Sequence, residues 1–145
     1  NFPIDATRAG IFGHSMGGHG ALTIALKNPD KFKTVSAFSP IVAPSQVPWG
    51  HKALAGYLGP GKDTWADYDA SSLIASRGWS GDILIDQGLA DNFLEEQLKP
   101  EIFEQACKEA GVSLTLRRQE GYDHSYYFIS TFIGDHIEWH AERLA

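Results

Sequence analysis

Arg8-Ala9-Gly10-Ile11-Phe12-Gly13-His14-Ser15-Met16-Gly17-Gly18-His19-Gly20-Ala21-Leu22 is the stretch that decides the fold. Its first six residues, Arg8 to Gly13, read as a buried strand. A helix is expected from Met16 to Lys27, with Ala21, Leu22, Ile24, Ala25 and Leu26 as its apolar surface and Asn28-Pro29 as its stop. Between them stands Gly13-His14-Ser15-Met16-Gly17, a G-x-S-x-G pentapeptide in the strand–turn–helix setting of a nucleophile elbow. So tight a turn strains the backbone of its serine, and the flanking glycines remove side chains that would clash. The hydroxyl is then exposed above the N-terminus of the next helix. There the positive helix end and the Met16 N–H can stabilise an oxyanion. The plain alternative is a glycine-rich turn with an incidental serine. The strand before it, the helix after it, and Gly18 and Gly20 weigh against that alternative.

Outward from this turn, short β-rich runs alternate with helical patterns. Strands are expected at Thr34 to Phe38, at Asp82-Ile83-Leu84-Ile85-Asp86 and at Leu114 to Arg118. The third run is apolar throughout its centre, as a parallel strand buried on both faces should be. Helices are expected near Lys52–Leu58, at Ala70–Arg77, at Pro100–Ala110 before Gly111, and from about Tyr126 to Arg143. The last should turn Phe128, Phe132, Ile133 and Ile137 to one side, with His136 and His140 on a polar face. Such alternation predicts an α/β fold, a mostly parallel sheet with helices on both faces. The stretch from Ile41 to Pro60, rich in proline and glycine, is a long excursion of the kind that covers or shapes a site.

Composition bounds the possibilities. The 145 residues suit one domain, and 43% apolar with 21% charged residues describes a chain with a core. A net charge of −6 lacks the electrostatic footprint of a nucleic-acid binder. The apolar runs are too short for a membrane span. A single cysteine, Cys107, rules out an intrachain disulfide or a thiolate zinc cluster, and reads as a buried structural thiol on an amphipathic helix. The chain opens at Asn1 with no initiating Met, and is expected to be the C-terminal part of a longer protein.

A serine nucleophile needs a histidine base and an acid that orients it. After an elbow of this kind the chain order is serine, acid, histidine, with the last two in loops after later strands. Gln87-Gly88-Leu89-Ala90-Asp91-Asn92 follows the third strand, and Gly121-Tyr122-Asp123-His124-Ser125 follows the fourth. The expected triad is Ser15, Asp91 and His124. Asp86 is the competing acid, although it stands early to reach the histidine loop. Asp123 adjoins His124 and suits a turn-shaping role. His14 is expected to pack beneath the elbow, His19 to be structural and His51 to be solvated. His136 and His140 stand four apart, but the glutamate is misplaced for the zincin motif, so no metal site is expected. Trp49 is a candidate wall of the substrate pocket.

Several blocks resemble the S-formylglutathione hydrolases, the esterase D family. They are the elbow from Gly13 to Leu22, Ser36-Ala37-Phe38-Ser39-Pro40, Pro48-Trp49-Gly50, Asp82-Ile83-Leu84-Ile85-Asp86-Gln87-Gly88, and Gln119-Glu120-Gly121-Tyr122-Asp123-His124-Ser125-Tyr126-Tyr127-Phe128. They occur in the family's order and spacing from Phe2 to Leu144. The resemblance implies an α/β-hydrolase domain, of which residues 1–145 would form the C-terminal portion. The family's first strands and the loop giving a second oxyanion N–H would lie upstream. It also implies Ser15 as nucleophile, Asp91 as acid and His124 as base. The implied activity is hydrolysis of S-formylglutathione to formate and glutathione, in formaldehyde detoxification, with cleavage of short carboxylic esters beside it. It further implies a small-molecule substrate, no cofactor, a cytoplasmic location and a homodimer at full length. A general carboxylesterase, a silent binding domain of this fold and an inactive truncated fragment are the rival readings.

Overall fold

Four parallel strands carry the molecule, and the alternation of their side chains splits it into two unlike halves. The computed structural model describes residues 2–145. Its elements are β1 (Ala9–His14), α1 (Met16–Lys27), β2 (Phe32–Phe38), α2 (Pro48–Leu58), α3 (Ala70–Arg77), β3 (Asp82–Gly88), α4 (Pro100–Ala110), β4 (Ser113–Gln119) and α5 (Tyr126–Leu144). The sheet order is β1-β2-β3-β4 and every pairing is parallel. β1 is an edge of this sheet, and Phe12 on it is 49% exposed. No helix among the described residues is long and apolar enough to cross a membrane.

One face of the sheet is dry. Val35, Ala37, Ile83 and Ile85 pack there against Leu22 and Leu26 of α1, Leu73 and Ile74 of α3, and Phe103 and Cys107 of α4. Each of these side chains is nearly or wholly buried, and complete burial stabilises a large aliphatic or aromatic side chain by about 1.5–3 kcal/mol. Burial pushes the Cys107 thiol up to about 12, which fits the inert structural thiol expected from sequence.

The other face carries the alternate residues of the same strands, and it is polar. Thr34, Ser36 and Asp86 are buried there under α5. Arg117 clamps Asp86 with two hydrogen bonds, Nε to Oδ1 at 2.8 Å and Nη2 to Oδ2 at 2.6 Å. Gln119 donates to the same carboxylate at 2.9 Å, and His136 Nε2 lies 2.7 Å from Oδ2. Burial raises the Asp86 carboxyl, but the His136, Arg117 and Gln119 contacts outweigh it and hold the group below its ordinary value. His140 lies between the Thr34 and Ser36 hydroxyls, at 2.6 and 2.8 Å.

The structure therefore corrects the reading of α5. The polar face with His136 and His140 is buried against the sheet, and Ile137 of the expected apolar side is exposed. Residues 128, 132, 136 and 140 share one side at four-residue spacing, and the polar sheet beneath supplies partners for two histidines. Elsewhere β2, β3 and β4 each run two residues longer than expected, and α2 begins at Pro48 instead of Lys52. The excursion after β2 also holds 3₁₀ turns at Pro44–Gln46 and Lys62–Tyr68. It is tied down by Asp69, whose carboxylate accepts from Ser72 N at 2.9 Å and from Ser45 N at 3.0 Å.

Burial, together with the nearby His136 and Arg143 charges, lowers the His140 pKa to about 4. Between roughly pH 4 and the unfolded value of ~6.5, the unfolded chain binds a proton that the folded one does not. Stability is therefore full above this window and falls as pH drops through it. The melting temperature should drop by about 5 °C or more between pH 7 and pH 4.5. His140→Gln should lessen that dependence, the remainder coming from His19, which burial also lowers to about 4, as thermal unfolding followed by circular dichroism across pH would reveal.

Candidate active site

Ser15 joins β1 to α1 with φ 57° and ψ −116°, a conformation that side chains rarely adopt. Its N–H donates to the Phe38 carbonyl at 3.0 Å, and its carbonyl accepts from His19 N at 3.0 Å and Ile41 N at 3.2 Å. These bonds lock the turn to the end of β2. A Cβ on Gly13 would collide with the Gly17 carbonyl, so this glycine is required by close backbone approach. The expectation for Gly17 differs: nothing lies within 4 Å of where its Cβ would be. Gly18 instead packs against Pro40, and a methyl on Gly18 would lie 3.0 Å from the Pro40 Cβ. Met16 is the first residue of α1, so its N–H has no intrahelical acceptor and stands free beside Ser15.

The loops after β3 and β4 meet above this turn. His124 Nδ1 lies 2.6 Å from Asp91 Oδ2. A carboxylate only accepts, so Nδ1 carries a proton, and in the neutral ring Nε2 is the nitrogen with the free lone pair. Asp91 is 6% exposed, and it also accepts from Phe93 N at 2.8 Å and from the Gln87 amide at 3.3 Å. Burial raises the Asp91 carboxyl, but the hydrogen bonds from His124, Phe93 and Gln87 together outweigh burial and keep it below its ordinary value. The His124 ring is flanked by His14, with centroids 4.6 Å apart, and by the edge-on ring of Phe93 at 5.2 Å. Burial and the neighbouring His124 charge lower the His14 pKa, which favours a neutral ring at this contact.

Ser15 and His124 line one cavity of about 240 Å³, without a hydrogen bond between them among the described residues. Such contacts commonly tighten only when substrate binds. Ile41, Trp49, Phe93 and Leu98 supply its apolar wall, with Met16 beside the serine. Trp49 was a candidate from sequence. Phe93, Gln97 and Leu98 were not, because a π-helical turn at Leu94–Leu98 carries no sequence motif. The remaining candidates stand apart. Asp86 is enclosed in the layer under α5. Asp123 accepts from Ser125 N at 2.9 Å and shapes its turn. His19 Nε2 accepts from Ala70 N at 3.2 Å, and burial lowers its pKa to about 4. His51 lies 2.6 Å from the Ser45 carbonyl, away from the cavity lining.

A family profile described as "Putative esterase" matches residues 1–139. Among solved structures, the chain is similar to an S-formylglutathione hydrolase from Agrobacterium tumefaciens, at 58% identity and a TM-score of 0.95. The match covers 99% of this chain and 52% of that one, so the chain spans about half the length of that relative. An S-formylglutathione hydrolase from Staphylococcus aureus matches over 96% of this chain and 57% of its own, at 24% identity and a TM-score of 0.75. A fluorophosphonate-binding serine hydrolase from the same organism has the same coverages, at 23% identity and a TM-score of 0.77. These last two share the fold. The four-stranded sheet with its helices is accordingly part of an α/β-hydrolase fold.

Gly13→Ala should be poorly tolerated, since the added methyl meets backbone that cannot rotate away. A loss of about 2–3 kcal/mol is expected, read from the urea unfolding midpoint.

Proposed function

The chain belongs to the esterase family, and on that premise we propose that it carries the catalytic apparatus of a serine hydrolase that cleaves S-formylglutathione. The observation that carries this reading is the 2.6 Å Asp91–His124 contact beside a serine held at φ 57° over the same cavity. Ser15 is the nucleophile, His124 the base and Asp91 the group that orients it. His124 Nε2 takes the hydroxyl proton as Ser15 Oγ attacks the thioester carbonyl carbon. The Met16 N–H donates to the oxyanion that forms. Collapse of this intermediate breaks the C–S bond, and His124 returns its proton to the departing glutathione sulfur. A formyl-serine remains. Water, deprotonated by His124, attacks the formyl carbon, and release of formate restores the serine.

The 58% identity to an S-formylglutathione hydrolase supports the thioester, and the small apolar cavity suits a one-carbon acyl group. Residues 1–145 are proposed as the C-terminal portion of one α/β-hydrolase domain, with a second oxyanion donor supplied from outside them. A cytoplasmic homodimer acting without a cofactor in formaldehyde detoxification completes the proposal. Short acyl esters fit the same cavity and are expected as slower substrates.

In the full-length protein, Ser15→Ala should abolish both turnover and labelling by a fluorophosphonate while leaving the melting temperature in place. More than a few per cent of residual rate would overturn the nucleophile. Asp91→Asn should lower kcat by roughly 10⁴, because the amide no longer selects the base tautomer of His124. Asp86→Asn should instead show its main effect in stability. The reverse pattern in steady-state kinetics and urea melts would move the acid to Asp86.

A further inference from the structure

One polar side chain of the cavity has no part in the chemistry above. Gln97 lies on the π-helical turn and lines the cavity with Ser15 and His124. Its Oε1 is 2.9 Å from the backbone nitrogen of Trp49. Trp49 is the second residue of α2, whose N-cap Val47 has no side chain that can accept a bond. The Trp49 N–H is therefore one of the orphan donors of a helix N-terminus, and Gln97 satisfies it from a distant part of the chain. This contact also fixes which way the amide points. An N–H can only donate, so the atom facing it must be the amide oxygen. The NH₂ end is left over, and Nε2 has no partner among the described residues.

The wall around it offers Nε2 nothing. Ile41, Trp49, Phe93 and Leu98 are apolar, Ser15 and His124 are committed to the reaction, and Asp91 is engaged by His124, Phe93 and Gln87. A donor held in one orientation on the wall of a half-buried cavity favours ligands that can accept from it over ligands that cannot, by about the worth of one hydrogen bond.

We propose that Gln97 is a specificity-determining residue: its Nε2 donates to a carbonyl or carboxylate oxygen of the leaving group. The inference rests on the thioester reading above. The acyl oxygen of a formyl thioester is taken by the Met16 N–H, and a formyl group has no other acceptor. The acceptors that remain on the substrate are the peptide carbonyls and carboxylates of the thiol it releases. Met16 and Phe93, which line the cavity and are 63% and 50% exposed, are where such a peptidic thiol would leave it. Gln97 selects peptidic thioesters over simple alkyl ones, while Trp49, held by the other end of the same amide, bounds the acyl group.

The test compares two formyl thioesters that differ only in the leaving thiol, S-formylglutathione and S-butyl thioformate, with the full-length enzyme. The wild type should prefer S-formylglutathione in kcat/KM. Gln97→Glu keeps an acceptor for the Trp49 N–H and removes the donor. It should reduce that preference by roughly tenfold, mainly through KM for S-formylglutathione, the loss expected for one hydrogen bond. Gln97→Met, uncharged and of similar length, should reduce it likewise, which separates a lost donor from charge repulsion. A preference unchanged in both variants, or one reduced only by Gln97→Glu, overturns the inference and leaves the serine hydrolase reading intact. A wild type with no preference for the glutathione thioester overturns it as well. A wild type that cleaves neither thioester while still labelled by fluorophosphonate overturns the thioester reading, and the role of Gln97 with it.

Discussion

The backbone of Ser15 is the constraint on which the rest of the site depends. A non-glycine residue at φ 57° and ψ −116° costs on the order of 1–3 kcal/mol, and it persists only because its surroundings over-determine it. Here the peptide groups of Ser15 are bonded to Phe38, His19 and Ile41. Gly13 and Gly17 come so close that one of them can carry no side chain. The same bonds bring the start of the excursion after β2 over the serine, so Ile41 becomes cavity wall. Ser39, next in line, also has a positive φ of 43° and donates its N–H to the Asp86 carbonyl at 2.8 Å. Strain at the elbow is thus held by the ends of β2 and β3 rather than by the turn itself.

Two aspartates five residues apart show how position decides role. Asp86 is still within β3, so the pleat commits its side chain to the face under α5. Arg117, Gln119 and His136 enclose it there, and it is buried out of reach of the histidine loop. Asp91 lies past the strand end, where the chain turns back toward β4. There the Phe93 N–H and the Gln87 amide hold one carboxylate oxygen each while the other partner is the His124 ring. Both groups are held below their ordinary carboxylate values, so lowered acidity alone does not tell the two apart. What differs is what each is bonded to.

The layer beneath α5 links these parts. α5 begins directly after the His124 loop, and its buried side grips the strands through Phe128, packed edge-on against Phe38, and through the hydrogen bonds of His136 and His140. A polar interface of this kind has directional bonds, and so it fixes the register of the helix on the sheet as well as its distance. Removing Arg117 would leave the fully buried Asp86 carboxylate without its cation, which makes the layer hard to loosen piecemeal.

Much of this was legible in the order of residues. The strand–turn–helix around Ser15, the parallel alternation and the places of Asp91 and His124 after successive strands all follow from local pattern, because strands and elbows impose spacings of a few residues. Other features were not legible. The helical period of α5 shows four apolar residues and two histidines, and it cannot say which side meets the sheet. That was decided by Thr34, Ser36 and Asp86, which lie far off along the chain. Gln97 reaches Trp49 across 48 positions, from a π-helical turn with no motif of its own. By itself the sequence determined the elements, their order and the residues able to do chemistry, since these depend on neighbours along the chain. Only the tertiary structure decided which polar groups find partners, because the bonding of a buried side chain is set by whatever the fold brings within about 3 Å of it.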